Sequence, residues 1–238
     1  PKPSSAASDV YKRQVGMRII ASFYKHEQVM FVSHLDMQRL FQRAFRRAGL
    51  PLAYSNGFNP HPLLSFATAL SVGYTSDCEY FDVMLSEYVS PAEFKRRVNA
   101  VLPQGVHIVD AVDAGEFKAS LTPLMRSAEY DIELEFAESV PREAFYAAVD
   151  EILNGGEIIV SKKTKGGIKD VDIRPMLLGL SVSEFGGRTA KLRLRGKLTA
   201  EGGLSPELLL GAFYKKLGTS ANSSVNRRNI EMDWTVIA

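Results

Sequence analysis

Residues 33 to 62, SHLDMQRLFQRAFRRAGLPLAYSNGFNPHP, constrain this chain most, because they specify a helix, both of its ends and the loop that follows. Ser33 is a good N-cap, and Asp36 three residues on completes a capping-box-like pair. Met37, Leu40, Phe41, Ala44, Phe45 and Ala48 recur at helical spacing and predict one buried face. Arg39, Arg43, Arg46 and Arg47 fall on the other side. Gly49 ends the helix and Pro51 keeps it from restarting. The loop then carries Asn56-Gly57 and Asn59-Pro60, both turn signals. Pro60 and Pro62 restrict the backbone around His61 and so fix its place. A rigid loop of this kind, beside a row of guanidinium groups, suits a phosphate-bearing ligand.

The first sixteen residues, PKPSSAASDVYKRQVG, differ from the rest. They are polar, hold no hydrophobic run and precede a methionine that opens a strand-like segment. They are expected to be a non-native or disordered tail of vector-like translation, with the fold starting at Met17. This matters for charge. The chain has 29 basic and 27 acidic residues, a formal net charge of +2. Lys2, Lys12, Arg13 and Asp9 account for that whole excess, so residues 17–238 are neutral. Bulk charge therefore says nothing for nucleic acid, and only local segregation can. No apolar run approaches the roughly 20 residues of a membrane span, and no secretory leader pattern is visible. The reading expects a cytoplasmic protein without a membrane partner. The single cysteine, Cys78, excludes an internal disulfide. It also excludes an iron–sulfur cluster held by three thiolates, and a structural zinc site of the usual cysteine-rich kind.

Element order predicts an α+β chain. The first half reads as strand 17–25, helix 33–48, an extended segment 63–72, strand 78–86, helix 90–102 and strand 105–112. Ser90-Pro91 is a helix start, and Pro103 with Gly105 marks the stop. After a linker at 114–126 the pattern returns. Strand 128–136 alternates Tyr130, Ile132, Leu134 and Phe136 with acidic residues. Helix 141–153 follows, then strands 157–162, 171–183 and 189–198, helix 205–217 with the same Ser-Pro start, and strand 226–236. The prediction is two tandem ferredoxin-like βαββαβ units with antiparallel sheets, at 17–113 and 127–238. Tandem units of this order resemble the RAMP-type CRISPR repeat-processing endoribonucleases.

Four segments carry a more specific likeness: SHLD (33–36), RAFRRAGLP (43–51), YSNGFNPHP (54–62) and LSVG (70–73), with KTKGGIKDVDIRP ending at Pro175. Together they resemble the signature of a bacterial family of radical-SAM-associated, or radical-SAM-linked, proteins, over Met17 to about Thr235. The resemblance implies work beside a separate radical SAM protein, in a gene neighbourhood that often holds ribonuclease E/G and ribosomal-protein genes. With one cysteine, this chain would be the partner and not the catalyst.

Each candidate has a plainer reading. Arg39, Arg43 and Arg47 are four apart and share a helix face, with Arg46 beside them. They are either a solvated face, with Asp36 paired to Arg39, or a phosphate-contacting surface. The absence of glutamate between residues 37 and 78 favours the second. His34 and His61 are either structural, or the base and acid of a metal-free ribonuclease. With Asp36 the two histidines could also form a metal site, but Ser-His-Leu-Asp has no recognised ligand spacing, so no metal is expected; no cofactor is expected either. Ser55, Asn56 and Asn59 offer small polar groups to a phosphate. Tyr54 and Phe58 could stack on bases, although Phe58 alone is expected to pack into the core. Lys162, Lys163, Lys165, Lys169 and Arg174 surround Gly166-Gly167 and read as a solvated hairpin or a polyanion site. Arg188, Lys191, Arg193, Arg195 and Lys197 make a polar strand face, either open to RNA or neutralised by Glu129, Asp131, Glu133 and Glu135 across strands. Glu79 and Asp82 point to opposite faces of their strand and make a poor carboxylate pair. The leading expectation is an RNA-binding accessory protein for a radical SAM enzyme, in tRNA or rRNA modification or maturation. The alternatives are a metal-independent endoribonuclease of RAMP type and a protein-interaction scaffold without RNA binding.

Overall fold

The computed structural model describes residues 16–115, 117, 119–164 and 167–237, and of residues 163, 164, 236 and 237 the backbone alone. Most of the tail expected at 1–16 lies outside the described residues, as does Lys165. Residues 16–72 with 78–122 form one compact unit, and residues 73–77 with 123–236 form a second.

The first unit contains β1 (Met17–Lys25), α1 (His34–Arg47), β2 (Leu64–Phe66), the greater part of β3 (Thr75–Leu85), α2 (Pro91–Asn99) and β4 (Val106–Asp113). Across the sheet the order is β2-β3-β1-β4, with β1 antiparallel to β4 and β2 antiparallel to β3. Side chains alternate along a strand. Ile19, Ala21 and Phe23 of β1 and Phe81, Val83 and Leu85 of β3 therefore share one face, and they pack in one core with Met37, Phe41 and Phe45 of α1 and Phe94 and Val98 of α2. Phe41 sits 4.9 Å, centroid to centroid, from both Phe23 and Phe81. Each such fully buried ring contributes about 1.5–3 kcal/mol through area removed from water.

Local signals set the ends of α1. Ser33 Oγ accepts from the Asp36 N–H at 3.2 Å. At the other end Gly49 has φ +64. Its N–H reaches Arg46 O and the Leu50 N–H reaches Phe45 O, a Schellman closure that requires the left-handed residue. Two arginines then exchange caps between the helices. Arg97 of α2 donates to the Ala48 and Gly49 carbonyls, and Arg47 of α1 donates to Val101 O at 2.9 Å.

The second unit contains β5 (Met125–Phe136), α3 (Arg142–Asn154), β6 (Ile159–Thr164), β7 (Gly167–Asp172), β8 (Leu177–Phe185), β9 (Thr189–Thr199), β10 (Gly202–Gly203), α4 (Pro206–Leu217) and β11 (Ala221–Met232). Its order is β10-β9-β5-β11, with β8 also on β9, and β6 and β7 form a sheet of their own. Thr75 and Ser76 pair in parallel with Asn226 and Arg227. Counted in chain order over β1 to β4 in the first unit and over β5, β8, β9 and β11 in the second, both read 2-3-1-4. The fold is thus α+β, with four α-helices among the described residues and mostly antiparallel sheets.

Several sequence boundaries move. The strand expected at 171–183 is two strands, because Pro175 has no N–H for a ladder and Arg174–Met176 forms a 3₁₀ turn between them. The last strand begins at Ala221 and ends at Met232, so Ala-Asn-Ser-Ser pairs with β5 despite its polarity. Within the stretch expected as a linker, Leu121 and Leu124 are buried and β5 already begins at Met125. The two Ser-Pro starts also differ. Ser90 Oγ accepts from Glu93 N, whereas Ser205 Oγ bonds to the Glu207 carboxylate and caps no N–H.

Candidate functional site

The loop after α1 is held by one side chain pair. Ser55 Oγ lies 2.9 Å from His61 Nδ1 and accepts the His61 N–H at 3.1 Å, while the Ser55 N–H donates to His61 O at 2.9 Å. Tyr54 and Pro62 bridge just outside this closure. The ring closed by residues 55–61 carries exposed Asn56 and Asn59, and at its tip stands Phe58. The expectation that Phe58 packs into the core is wrong. Its exposure is 110%, beyond that of a reference extended chain. Gly57, at φ +120, turns the loop there and leaves the ring with nothing to pack on.

His61 lines a cavity of about 770 Å³ together with Arg18, Ser65, Asp82, Met84 and Phe117. Arg18 and Asp82 lie on the strand face opposite the helix-covered core, by the same alternation that buries Ile19 and Phe81. Both are buried, and Arg18 Nη2 is 3.0 Å from Asp82 Oδ2. The other terminal nitrogen of Arg18 donates to Phe117 O at 3.0 Å and Ala119 O at 2.7 Å. Its guanidinium carbon sits 5.3 Å from the Phe117 ring centre. The Arg18 Nε–H has no acceptor among the described residues.

His34 stands elsewhere. Its Nε2 is 3.5 Å from Gln38 Nε2, its ring meets Phe66 edge-on, and it lines a second, very small cavity with Lys25 and Glu79. That cavity shares no lining residue with the first. His34 and His61 are therefore not brought to one site. Lys25 is buried and donates to Met30 O at 2.8 Å and Val32 O at 3.0 Å. Burial lowers its ammonium below the usual range, and Glu79 offsets this in part. Glu79 and Asp82 line different cavities, as opposite strand faces require. The sequence reading missed Arg18 and Lys25. Their signal was a cation at each end of an otherwise apolar strand, MRIIASFYK.

The arginine row keeps its exposure but not its unity. Arg39 pairs with Asp36 at 2.9 Å, and Ser33 and then Arg39 hold the Asp36 carboxyl below its usual range. Arg47 is committed to Val101 O. Arg43 and Arg46 are exposed and form no hydrogen bond or ion pair among the described residues, although Asp36 feels the charge of Arg43 through space. Because α1 covers the odd-numbered face of β1, its arginines and the His61 cavity lie on opposite faces of the sheet. The loop does not join them into one surface.

In the second unit, Lys162 and Lys169 stand directly opposite each other on β6 and β7, both exposed. Arg174 does not face solvent with them. It donates to Leu153 O at 2.8 Å at the end of α3. The side chain of Lys163 lies outside the described residues. Of the basic face on and beside β9, Lys191, Arg193 and Arg195 meet carboxylates, while Arg188 donates to Ala137 O at 2.7 Å and Lys197 stands opposite Ser127. Lys191 stands opposite Glu133, and Arg193 opposite Asp131. Ion pairs join Lys191 to Glu184 at 3.2 Å, Arg193 to Asp131 at 3.2 Å and Arg195 to Glu231 at 2.7 Å. Among the described residues no three His, Cys, Asp or Glu side chains form a metal-holding group, and no helix is long and apolar enough to cross a membrane.

Comparison with known proteins follows this geometry. The fold is similar to a chain of a crystal structure of a Cbf5-Nop10-Gar1 complex, with TM-score 0.53, 13% identity, and coverage of 91% of this chain and 49% of that one. It is also similar to a chain of an H/ACA RNP bound to a substrate RNA containing 2'-deoxyuridine, with TM-score 0.50, 12% identity, and coverage of 94% and 50%. This chain spans about half the length of those solved chains. No curated protein matches it. The model of the family described as "Uncharacterized protein conserved in bacteria (DUF2344)" matches residues 18–206, and the chain belongs to that family.

Proposed function

We propose that this DUF2344 protein binds RNA as an accessory to a separate radical SAM enzyme, in tRNA or rRNA modification or maturation, and that its two units are ferredoxin-like. The 2-3-1-4 order and antiparallel pairing of both sheets support the fold reading. The observation that carries the RNA reading is on α1. Of four exposed arginines, only Arg39 meets a carboxylate. A helix face that leaves Arg43 and Arg46 without an ion pair among the described residues presents positive charge to a phosphate backbone. The lysines opposite each other at 162 and 169 add to it, since like charges placed so destabilise a hairpin unless an anion bridges them. One of the solved chains of similar fold belongs to an H/ACA RNP bound to a substrate RNA, which agrees with the reading. Partnership with a radical SAM enzyme rests on the sequence resemblance and on the single cysteine.

Retardation of total cellular RNA on a native gel, at low and at high salt, tests binding. A salt-sensitive shift is expected, and no shift at low salt removes the reading. The ribonuclease alternative needs two proton-transfer groups at one phosphate, and His34 and His61 line separate cavities. Cleavage in EDTA with a 2′,3′-cyclic phosphate product would nevertheless restore it. Binding to the partner enzyme with no RNA affinity would favour the scaffold.

A further inference from the structure

We infer that the cavity beneath His61 binds a nucleobase, either unpaired in a single strand or as a free nucleotide. Size comes first. A volume of about 770 Å³ is in the range of small-molecule sites, roughly 300–1,000 Å³, and has room for a base with its sugar. Charge comes second. The guanidinium of Arg18 is already matched by Asp82 at 3.0 Å and by two backbone carbonyls. The cavity floor is therefore a neutral pair, which an anion gains little by approaching. Among the described residues the buried Arg18 Nε–H has no acceptor, and the Asp82 carboxylate stands beside that guanidinium. A donor and an acceptor side by side on a buried, neutral floor match the edge of a heterocycle better than a phosphate. The walls come third. Leu63, Met84 and Phe117 offer apolar surface to a flat ring.

Position agrees with chemistry. The cavity lies on the sheet face away from the helices, the face on which four-stranded RNA-binding sheets take unstacked bases. At its rim, the loop that fixes His61 holds Phe58 fully in water, an orientation that costs free energy unless a flat partner covers the ring. The inference does not lean on the arginines of α1, which lie on the other face.

The test uses the full chain and one cavity-filling variant. Ser65 is exposed, lines the cavity and pairs with Asp82 across β2–β3, so Ser65→Trp fills the space without entering the core. The probes are a single-stranded RNA containing 2-aminopurine, the same sequence as a duplex, and the four nucleoside monophosphates. The inference expects 2-aminopurine fluorescence to change on binding to the wild type. It also expects Ser65→Trp to weaken the single strand by about tenfold or more, the scale of one stacked base, with the duplex unaffected. Monophosphate binding that Ser65→Trp abolishes, with RNA binding unchanged, assigns the cavity to a free nucleotide. If RNA binds but neither its fluorescence nor its affinity responds, and no monophosphate binds, the inference fails while the RNA reading stands. If no RNA binds but a monophosphate does, the RNA reading fails and the cavity assignment stands. If the variant does not fold, unchanged wild-type fluorescence together with no monophosphate binding still overturns the inference.

Discussion

Strand β9 and helix α1 each carry a row of cations at regular spacing, and the rows mean different things. On β9 the neighbours are set by register. Residues opposite each other across β5–β9 stand a few ångströms apart, and the chain puts Glu133 and Asp131 where Lys191 and Arg193 need them. Glu184 and then Glu133 push the Lys191 ammonium above its usual range, and Glu231 does the same for the Arg195 guanidinium. On α1 the only acidic residue is Asp36 in the first turn, which pairs with Arg39, feels Arg43 only through space and forms no ion pair beyond Arg39. A periodic run of cations is thus a question, and the answer lies in what the adjacent element presents.

The comparison has a buried limit, and breaking it should give the largest effect. Arg18→Met would strand the Asp82 carboxylate in the sheet, at a cost of about 3–5 kcal/mol. Chemical denaturation should show the loss, and Asp82→Leu added to it should return much of the stability. A single variant as stable as the wild type would mean the pair is not buried as described. Next comes the difference between the two rows. Arg43→Gln with Arg46→Gln should leave the helix intact, because Gln is nearly as good a helix former as Arg. It should reduce the salt slope of single-stranded RNA binding by about 1.4, two contacts at roughly 0.7 each. Lys191→Gln with Arg193→Gln should leave that slope alone, and equal effects from the two doubles would erase the contrast drawn here. The smallest effect concerns acid. Ser127's hydroxyl and then Arg195's guanidinium hold the Glu231 carboxyl below its ordinary 4.5. A carboxyl lowered on folding adds stability above pH 4.5, and that share is lost as pH falls through the folded value. Glu231→Gln should therefore flatten the acid limb of a melting-temperature profile, and a limb unchanged in shape would remove the β9 lattice as its source.

Much of this was legible in the chain because it is local. The N-cap, the apolar face and the glycine stop of α1 all lie within a few residues of one another, and periodicity found them. Alternation found the buried side of β5 and the separation of Glu79 from Asp82. What escaped was long-range. Nothing near Arg18 says that Asp82, Phe117 and Ala119 will surround it, and nothing near Arg174 says that a helix end at Leu153 will take its guanidinium. Phe58 escaped for another reason. Hydrophobicity predicts burial, while the Asn-Gly and Asn-Pro turns on either side predict a protruding loop, and the turns won. The polar start of β11 was hidden because its partner strand, rather than its own composition, makes Ala221–Ser224 extended.

The hairpin of β6 and β7 has a consequence for time rather than for structure. A two-stranded sheet standing alone is marginal in water, and Lys162 facing Lys169 weakens this one further. Its backbone amides should therefore open and exchange with deuterium long before those of β5, which is paired on both sides. A polyanion seated between the lysines would slow that exchange selectively. The rate at which the hairpin amides take up deuterium then reports whether that site is occupied.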